Sequence, residues 1–258
     1  MSKTQRELAF IRDLYVEDEW TQKFTALADK HLDLSDSENL VYINAGTGAH
    51  AMALDEKFGE KVDIFASCQD EHMLNIARDK GAAISSRVDF SQIRFEPDSF
   101  DAVIADASFV RPEELEEFVD DAAALAKTGG DIAIFFPGAG SYGEVFSLLW
   151  EALFAEELAD RGVAEKLIAE LPTVSQIEAF AERSGMVNVR IESSIEHFEY
   201  ETSKEFVESP LVEDFLLPVW LESLNDDEKD RVTSELTRLI DNEGDDLTFR
   251  FSVKVNLL

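Results

Sequence analysis

Between residues 40 and 136, short apolar runs alternate with helix-patterned segments, and this alternation constrains the fold more than any other feature of the chain. The runs are LVYIN (40–44), VDIFA (62–66), AVIADA (102–107) and DIAIFF (131–136), with a shorter one near Ile84 to Val88. Between them lie GAHAMALDEKFG (48–59), Asp70 to Lys80 closed by Gly81, and Pro112 to Ala126 with its proline in the first turn. Strands that are apolar throughout are covered on both faces, which implies a parallel sheet sandwiched by helices.

Helical spacing also marks Thr4 to Tyr15, through Leu8, Ile11 and Tyr15, and Asp18 to Leu32, through Trp20, Phe24, Leu27, Ala28 and Leu32. Beyond Gly138 an apolar helix is expected over Ser141 to Leu158, with Phe146, Leu149, Trp150 and Leu153. Another follows the Thr173/Gln176 capping box and ends at Gly185. VNVRIES (187–193) reads as a strand, Lys204 to Asn242 as helix with a second capping box at Asn225/Glu228, and LTFRFSVKV (247–255) as a terminal antiparallel strand. The predicted fold is thus α/β, a seven-stranded, mostly parallel sheet with helices on both faces. With no repeat or linker, one domain over 1–258 is the simplest organisation. It comprises N-terminal helices (1–36), a ligand-binding half (37–137) and a second half (138–258) with a helical cap over 203–242, inserted before the last strand.

Composition narrows the function classes. Lys+Arg 23 against Asp+Glu 55 gives a net charge of −32, a surface that repels phosphate backbones and anionic lipid. Nucleic acid and membrane are therefore not expected partners, and the acidity reads as a solubilising or salt-adapted surface, the alternative being a docking face for something basic, which no single acidic run is long enough to mark. The single cysteine, Cys68, excludes an internal disulfide and a multi-cysteine zinc site. MSKTQRELAF carries no apolar stretch of signal-peptide length, and no run reaches the roughly 20 apolar residues of a membrane span, so a cytoplasmic location is expected. His31, His50, His72 and His197 show no paired ligand spacing, so no metal site is expected. There is no GxSxG or GxxxxGK[ST] motif either.

A glycine-rich turn between an apolar strand and a helix is where open parallel sheets bind nucleotides. Here it is VYINAGTGAH, in which Gly46 and Gly48 let backbone approach a ligand. Four segments in order raise this above a tight turn: NAGTG (44–48), DEHMLNIARDK (70–80), DFSQIRFEPDSFDAVIADAS (89–108) and Lys127–Thr128–Gly129–Gly130. Together they resemble the class I S-adenosylmethionine-dependent methyltransferases, motif by motif across residues 40 to 137. The resemblance implies a Rossmann-like sheet and S-adenosylmethionine as cofactor. It places Asn44, Ala45, Gly46, Thr47 and Gly48 along the methionine and ribose part of the cofactor. Asp89 falls at the adenine amino group, with a loop cap as the alternative, and Phe90 beside the adenine ring, with a core aromatic as the alternative. Asp106, at the end of the fourth-strand motif, is the candidate catalytic residue, holding an amine or acting as a base, unless it only caps the following turn.

Two positions depart from the family pattern. Tyr42 stands where an acidic residue is usual, with Asn44 in place of the first glycine, and Cys68, followed by Gln69, stands where a carboxylate binds the ribose diol. Charge-assisted hydrogen bonds contribute about 1.5–3 kcal/mol each, so the second departure implies weakened cofactor binding unless Gln69 or Asp70 substitutes. Cys68 itself reads as a small apolar residue rather than a nucleophile. The segment 203–224, with Phe206, Leu211, Phe215, Leu216, Leu217, Val219 and Trp220, reads as packing, the alternatives being a lid or a protein-partner surface. The expectation is methyl transfer to a small-molecule acceptor, the alternative a non-catalytic methyltransferase-like protein that binds a partner or ligand. An NAD-dependent dehydrogenase would need the acid missing at Cys68 just as much.

Overall fold

The computed structural model describes residues 3–90, 94–242 and 248–258. The 91–93 part of the 89–108 stretch, and Leu247, with which the terminal strand was expected to begin, lie outside the described residues. At the N-terminus, α1 (Gln5–Ile11) runs directly into a π-helical segment (Arg12–Thr21) and on into α2 (Gln22–His31). There follow β1 (Asn39–Ile43), α3 (Ala49–Phe58), β2 (Asp63–Ala66), α4 (Glu71–Ile84), β3 (Phe100–Asp106), α5 (Leu115–Leu125) and β4 (Ala126–Pro137). The remainder is α6 (Gly143–Ala155), α7 (Val163–Glu170), α8 (Val174–Arg183), β5 (Glu192–Tyr200), α9 (Ser203–Glu208), α10 (Leu217–Trp220), α11 (Asp226–Asn242) and β6 (Phe249–Leu257). Helix starts follow their capping chemistry. Thr4/Glu7 and Thr173/Gln176 form reciprocal capping boxes, Asn225 and Glu228 bond each other's backbone N–H, and the Asp70 carboxylate accepts from His72 and Met73 N–H.

The strands form one sheet in the order β2-β1-β3-β4-β6-β5. β1 pairs in parallel with β2 and β3, β3 with β4, and β6 pairs antiparallel with β4, as the terminal alternating strand foretold. Between β3 and β4 the register slips at Lys127–Gly130, where a Cβ on Gly130 would sit 2.9 Å from the Asp101 carbonyl oxygen.

Six strands are found among the described residues, not seven. The run near Ile84 to Val88 contributes only an isolated bridge, Phe65 to Asp89. The cause is local. α4 extends to Ile84 and ends on Ser85 in the left-handed region, and the Asp55 carboxylate then takes the Ser86 hydroxyl and the Arg87 N–H at 2.8 Å each. Backbone held by a side chain cannot propagate a ladder.

The expected strand 187–193 is displaced to Glu192–Tyr200, because Asn188 has a positive φ of 59° that extended chain cannot accommodate. The continuous helix expected over 204–242 is broken. Ser209, which precedes Pro210, is extended, and Val212–Leu216 is a π turn.

The chain divides into two compact units. The first comprises Met1–Pro137, Thr173–Ser194 and Val255–Leu258, and the second Gly138–Pro172 and Ile195–Lys254. In the first, Val41, Val103, Ala105 and Ile134 of the strands pack against Val119 of α5 and Ile177 and Ala181 of α8. Trp20 is fully buried there between Phe24, at 4.9 Å between ring centroids, and Phe109, at 5.3 Å. In the second, Tyr142, Phe146, Trp220 and Phe251 make an aromatic cluster. Phe206, Leu211, Val212, Leu216, Leu217 and Trp220 are buried, so most of the apolar 203–224 segment is core of that unit and only Val219 among its large apolar groups is exposed. No described helix is long and apolar enough to cross a membrane.

Because Trp20 fastens the π-helical segment to the first unit, Trp20→Ala is expected to lower unfolding free energy by about 3–5 kcal/mol. Urea titration followed by far-UV circular dichroism measures it.

Candidate functional site

The parallel strands β1, β2 and β3 present their carboxyl ends at one edge of the sheet, and the turn leaving β1 sets the shape of that edge. Asn44, Gly46 and Gly48 all have positive φ, at 58°, 58° and 82°, and α3 starts immediately after. Asn44 holds this conformation by donating its side-chain amide to the Asp106 carbonyl at 3.2 Å. Gly48 must be glycine: a Cβ there would lie 2.8 Å from the Phe90 ring. Phe90 is buried against Gly48 and Ala77, and Arg78 donates to its carbonyl oxygen. Asp89 pairs through its backbone with Ile64 and Ala66 and so stands beside the end of β2.

Gln69 reaches back onto the same turn. Its side-chain oxygen accepts from Gly46 N–H at 3.2 Å and its amide donates to the Asn44 carbonyl at 3.0 Å. The sequence position that lacks a carboxylate is therefore followed by a residue that braces the turn. Cys68 is half-buried, and burial pushes its thiol up to about 12, which leaves no thiolate at neutral pH.

The inner wall over this turn comes from the N-terminal segment, which sequence reasoning did not assign to the site. Arg12 and Glu17 are buried, at 3% and 5% exposure, and their side chains approach Gly46 so closely that a Cβ there would meet Arg12 Nε and Glu17 Oε2 at 3.5 Å each. The Arg12 guanidinium also lies over the Phe109 ring and makes a loose ion pair, 3.4 Å, with buried Asp106. Asp106 accepts a second bond, from Ser108 N–H at 2.8 Å. Arg12 Nε, Glu17 Oε2 and Ser108 Oγ are buried without a hydrogen-bond partner among the described residues. Unpaired buried polar atoms cost on the order of 1–3 kcal/mol each, and two of these three, Arg12 Nε and Glu17 Oε2, lie beside Gly46. Nearby, Asp13 accepts from the fully buried Thr47 hydroxyl at 2.6 Å and from Lys80 at 2.5 Å, which ties the segment to α3 and α4.

A signal for Arg12 existed: it lies on the stripe Ala9, Val16, Trp20 and Phe24, where a charge is out of place. The spacing Leu8, Ile11, Tyr15 pointed to a different face, and Tyr15 is 53% exposed. His50 is buried, bonded through Nδ1 to the Tyr42 hydroxyl at 3.0 Å and through Nε2 to Asp29 at 3.4 Å.

Residues 41–130 match the family model described as a methyltransferase domain. The matched segment runs from β1 into the turn of β4. No curated protein matches the chain. Among solved structures, the YcgJ protein of Bacillus subtilis is 13% identical, with a TM-score of 0.55 over 92% of this chain and 96% of that one. Phosphoethanolamine N-methyltransferase 2 of Haemonchus contortus, in complex with phosphomonomethylethanolamine and S-adenosylhomocysteine, is 18% identical. Its TM-score is 0.54, over 98% of this chain and 57% of that one. An S-adenosylmethionine-dependent methyltransferase of Aquifex aeolicus is 16% identical, with a TM-score of 0.51 over 73% and 92%. The shared architecture is the class I methyltransferase fold.

The buried cluster at the Gly46 turn has unusual protonation chemistry. Burial drives the Glu17 carboxyl up to about 7, against the pull of Arg12 and with a further push from Asp106. Burial also raises Asp106, although Arg12 and the Ser108 N–H oppose it, and raises Tyr42. Glu17 thus binds its proton more tightly in the folded than in the unfolded chain. Its stabilising contribution is complete below its ordinary value of 4.5 and disappears as pH rises through about 7. Glu17→Gln, which keeps the neutral shape, is expected to match the natural protein near pH 4.5. At pH 8 it should be more stable by up to about 3 kcal/mol. Thermal denaturation at the two pH values measures the difference, with Asp13, Lys80, Arg12 and Asp106 unchanged between the proteins.

Proposed function

We propose that this chain transfers a methyl group from S-adenosylmethionine to a small-molecule acceptor, the whole chain, 1–258, acting as one methyltransferase-like domain. The observation that carries the reading is the coincidence of the methyltransferase-domain match over 41–130 with unsatisfied buried polar atoms facing the Gly46 turn. When bound, the cofactor supplies a methyl group activated by a sulfonium. The protein's work is then largely positioning, so few catalytic side chains need be visible.

In this reading Asn44 to Gly48 hold the amino-acid end and Cys68–Gln69 face the ribose. Asp89 and Phe90 lie on the adenine side. Asp106, already paired with Arg12 and Ser108, orients the N-terminal wall and is less free to act as a base than its position at the end of β3 implied. The net charge of −32 favours an uncharged or cationic acceptor over an anionic one.

One observation favours the second reading, a non-catalytic member that binds another ligand or partner. Gln69 spends both ends of its amide on the turn and leaves the ribose position without a free carboxylate.

Calorimetric titration with S-adenosylmethionine and S-adenosylhomocysteine tests the proposal. Binding is expected to be weak in the natural protein. It should tighten roughly ten- to hundredfold in Cys68→Asp, since a carboxylate at the diol adds about 1.5–3 kcal/mol. The same substitution should lower the melting temperature without ligand, because it places a charge at a half-buried position. Thermal shift with and without ligand separates the two effects. If neither protein responds at millimolar cofactor, the second reading takes its place.

A further inference from the structure

We infer that the π-helical segment Arg12–Thr21 is an autoinhibitory gate, closed over the Gly46 turn in this structure, which has to come off before a cofactor can reach that turn. The inference rests on the cofactor reading above and adds how access to the site is controlled. Ala45, Gly46, Thr47 and Gly48 are all buried, Thr47 completely. Their backbone donors are spent inside the protein as well. The Ala45 N–H donates to the Ser67 carbonyl, the Gly46 N–H to the Gln69 side chain and the Gly48 N–H to the Ala45 carbonyl. Directly over the turn, Arg12 Nε and Glu17 Oε2 each stand 3.5 Å from where a Cβ on Gly46 would be. The protein's own side chains thus hold the place where sheets of this kind receive a ligand.

Closure carries a cost that release would recover. Arg12 Nε, Glu17 Oε2 and Thr21 Oγ1, all on the covering segment, are buried without a hydrogen-bond partner among the described residues. In water each regains its hydrogen bonds, so this face of the segment favours opening. Helix register supplies a route. In an α-helix, residues five apart point about 140° away from each other, whereas π-type i→i+5 hydrogen bonding stacks them on one face. A return to the α-helical register of α1 and α2, which flank the segment, takes Arg12 or Glu17 off Gly46. The latch is slight. Asp13 holds the outer edge by accepting from the Thr47 hydroxyl at 2.6 Å and from Lys80 at 2.5 Å, and Lys80 is 35% exposed. Ion pairs open to solvent contribute little. Asp13 and Lys80 also line a groove of about 510 Å³ between α1 and α4, with Arg6, Phe10 and Ile76. The Arg12–Asp106 pair inside is loose at 3.4 Å, while Trp20, between Phe24 and Phe109, pins the far end as a pivot.

The test is amide hydrogen exchange and stopped-flow binding with S-adenosylhomocysteine, on the 258-residue chain and on Asp13→Ala, which removes the latch. A ligand seated on the turn displaces Arg12 and Glu17. Exchange across residues 12–21 is therefore expected to rise when the natural chain is saturated, the reverse of ordinary protection by a ligand. Opening precedes binding, so the observed binding rate should level off with ligand concentration. Asp13→Ala should raise that plateau roughly three- to tenfold and tighten the apparent affinity by a similar factor, because apparent affinity scales with the open fraction.

Exchange and the rate plateau are both read on the natural chain, so the test stands even where Asp13→Ala does not fold. Exchange over 12–21 that falls or stays level on saturation overturns the gate and leaves the cofactor reading intact. A binding rate that climbs linearly and equally in both proteins does the same. Binding by Asp13→Ala alone supports the gate. No binding of S-adenosylhomocysteine by either protein at millimolar concentration overturns both.

Discussion

A guanidinium and two carboxylates excluded from water at the carboxyl edge of a parallel sheet set the terms for everything around them. Arg12, Glu17 and Asp106 are each at most 5% exposed. Charges in such a place cost several kcal/mol apiece unless they are paired or neutralised. The structure meets that demand partly by pairing, with Asp106 between Arg12 and the Ser108 N–H, and partly by protonation, with Glu17 driven up to about 7. It leaves the demand partly unmet in the orphaned Nε and Oε2 atoms. A buried ionic group is weak evidence for stability, and its retention where an apolar side chain would pack points to a use.

The turn beneath the cluster is held by side chains as well as by its own backbone bond from Gly48 N–H to the Ala45 carbonyl. Asn44 reaches Asp106, Gln69 reaches Gly46 and Asn44, and Thr47 reaches Asp13, so three neighbouring positions each answer to a different element. Such bracing fixes a backbone with three positive φ angles, two of them on glycine, at the point where sheets of this kind receive ligands. It also explains how the fold tolerates Cys68 in place of a carboxylate: the ordering of the turn does not depend on that position.

The fold was legible wherever one periodicity ruled a segment. The four apolar runs became β1, β2, β3 and β4, the capping boxes at Thr173/Gln176 and Asn225/Glu228 form as written, and the terminal alternating strand pairs antiparallel. The reading failed where a distant side chain or a single dihedral intervened. Asp55, thirty-one residues before Ser86, removes the seventh strand, and Asn188 postpones β5. Of the site, the turn and Asp106 could be placed from motifs, and Arg12 carried a signal in its place on the stripe Ala9, Val16, Trp20 and Phe24, whereas nothing local shows Glu17 on the same side as Arg12, which takes the π-helical register.

By itself the sequence determined the four parallel strands and the helices between them, the glycine turn after β1 and the acidic surface, all set by local pattern, backbone permissiveness or simple charge counting. Only the tertiary structure decided which charges are desolvated and which atoms remain unpaired over Gly46. Those depend on where α1 and the π-helical segment pack against the sheet edge, with Trp20 between Phe24 and Phe109 and Asp13 between Thr47 and Lys80. Contacts between residues 13 and 80, or 12 and 106, have no signature in local periodicity, since they arise from packing among elements far apart in the chain.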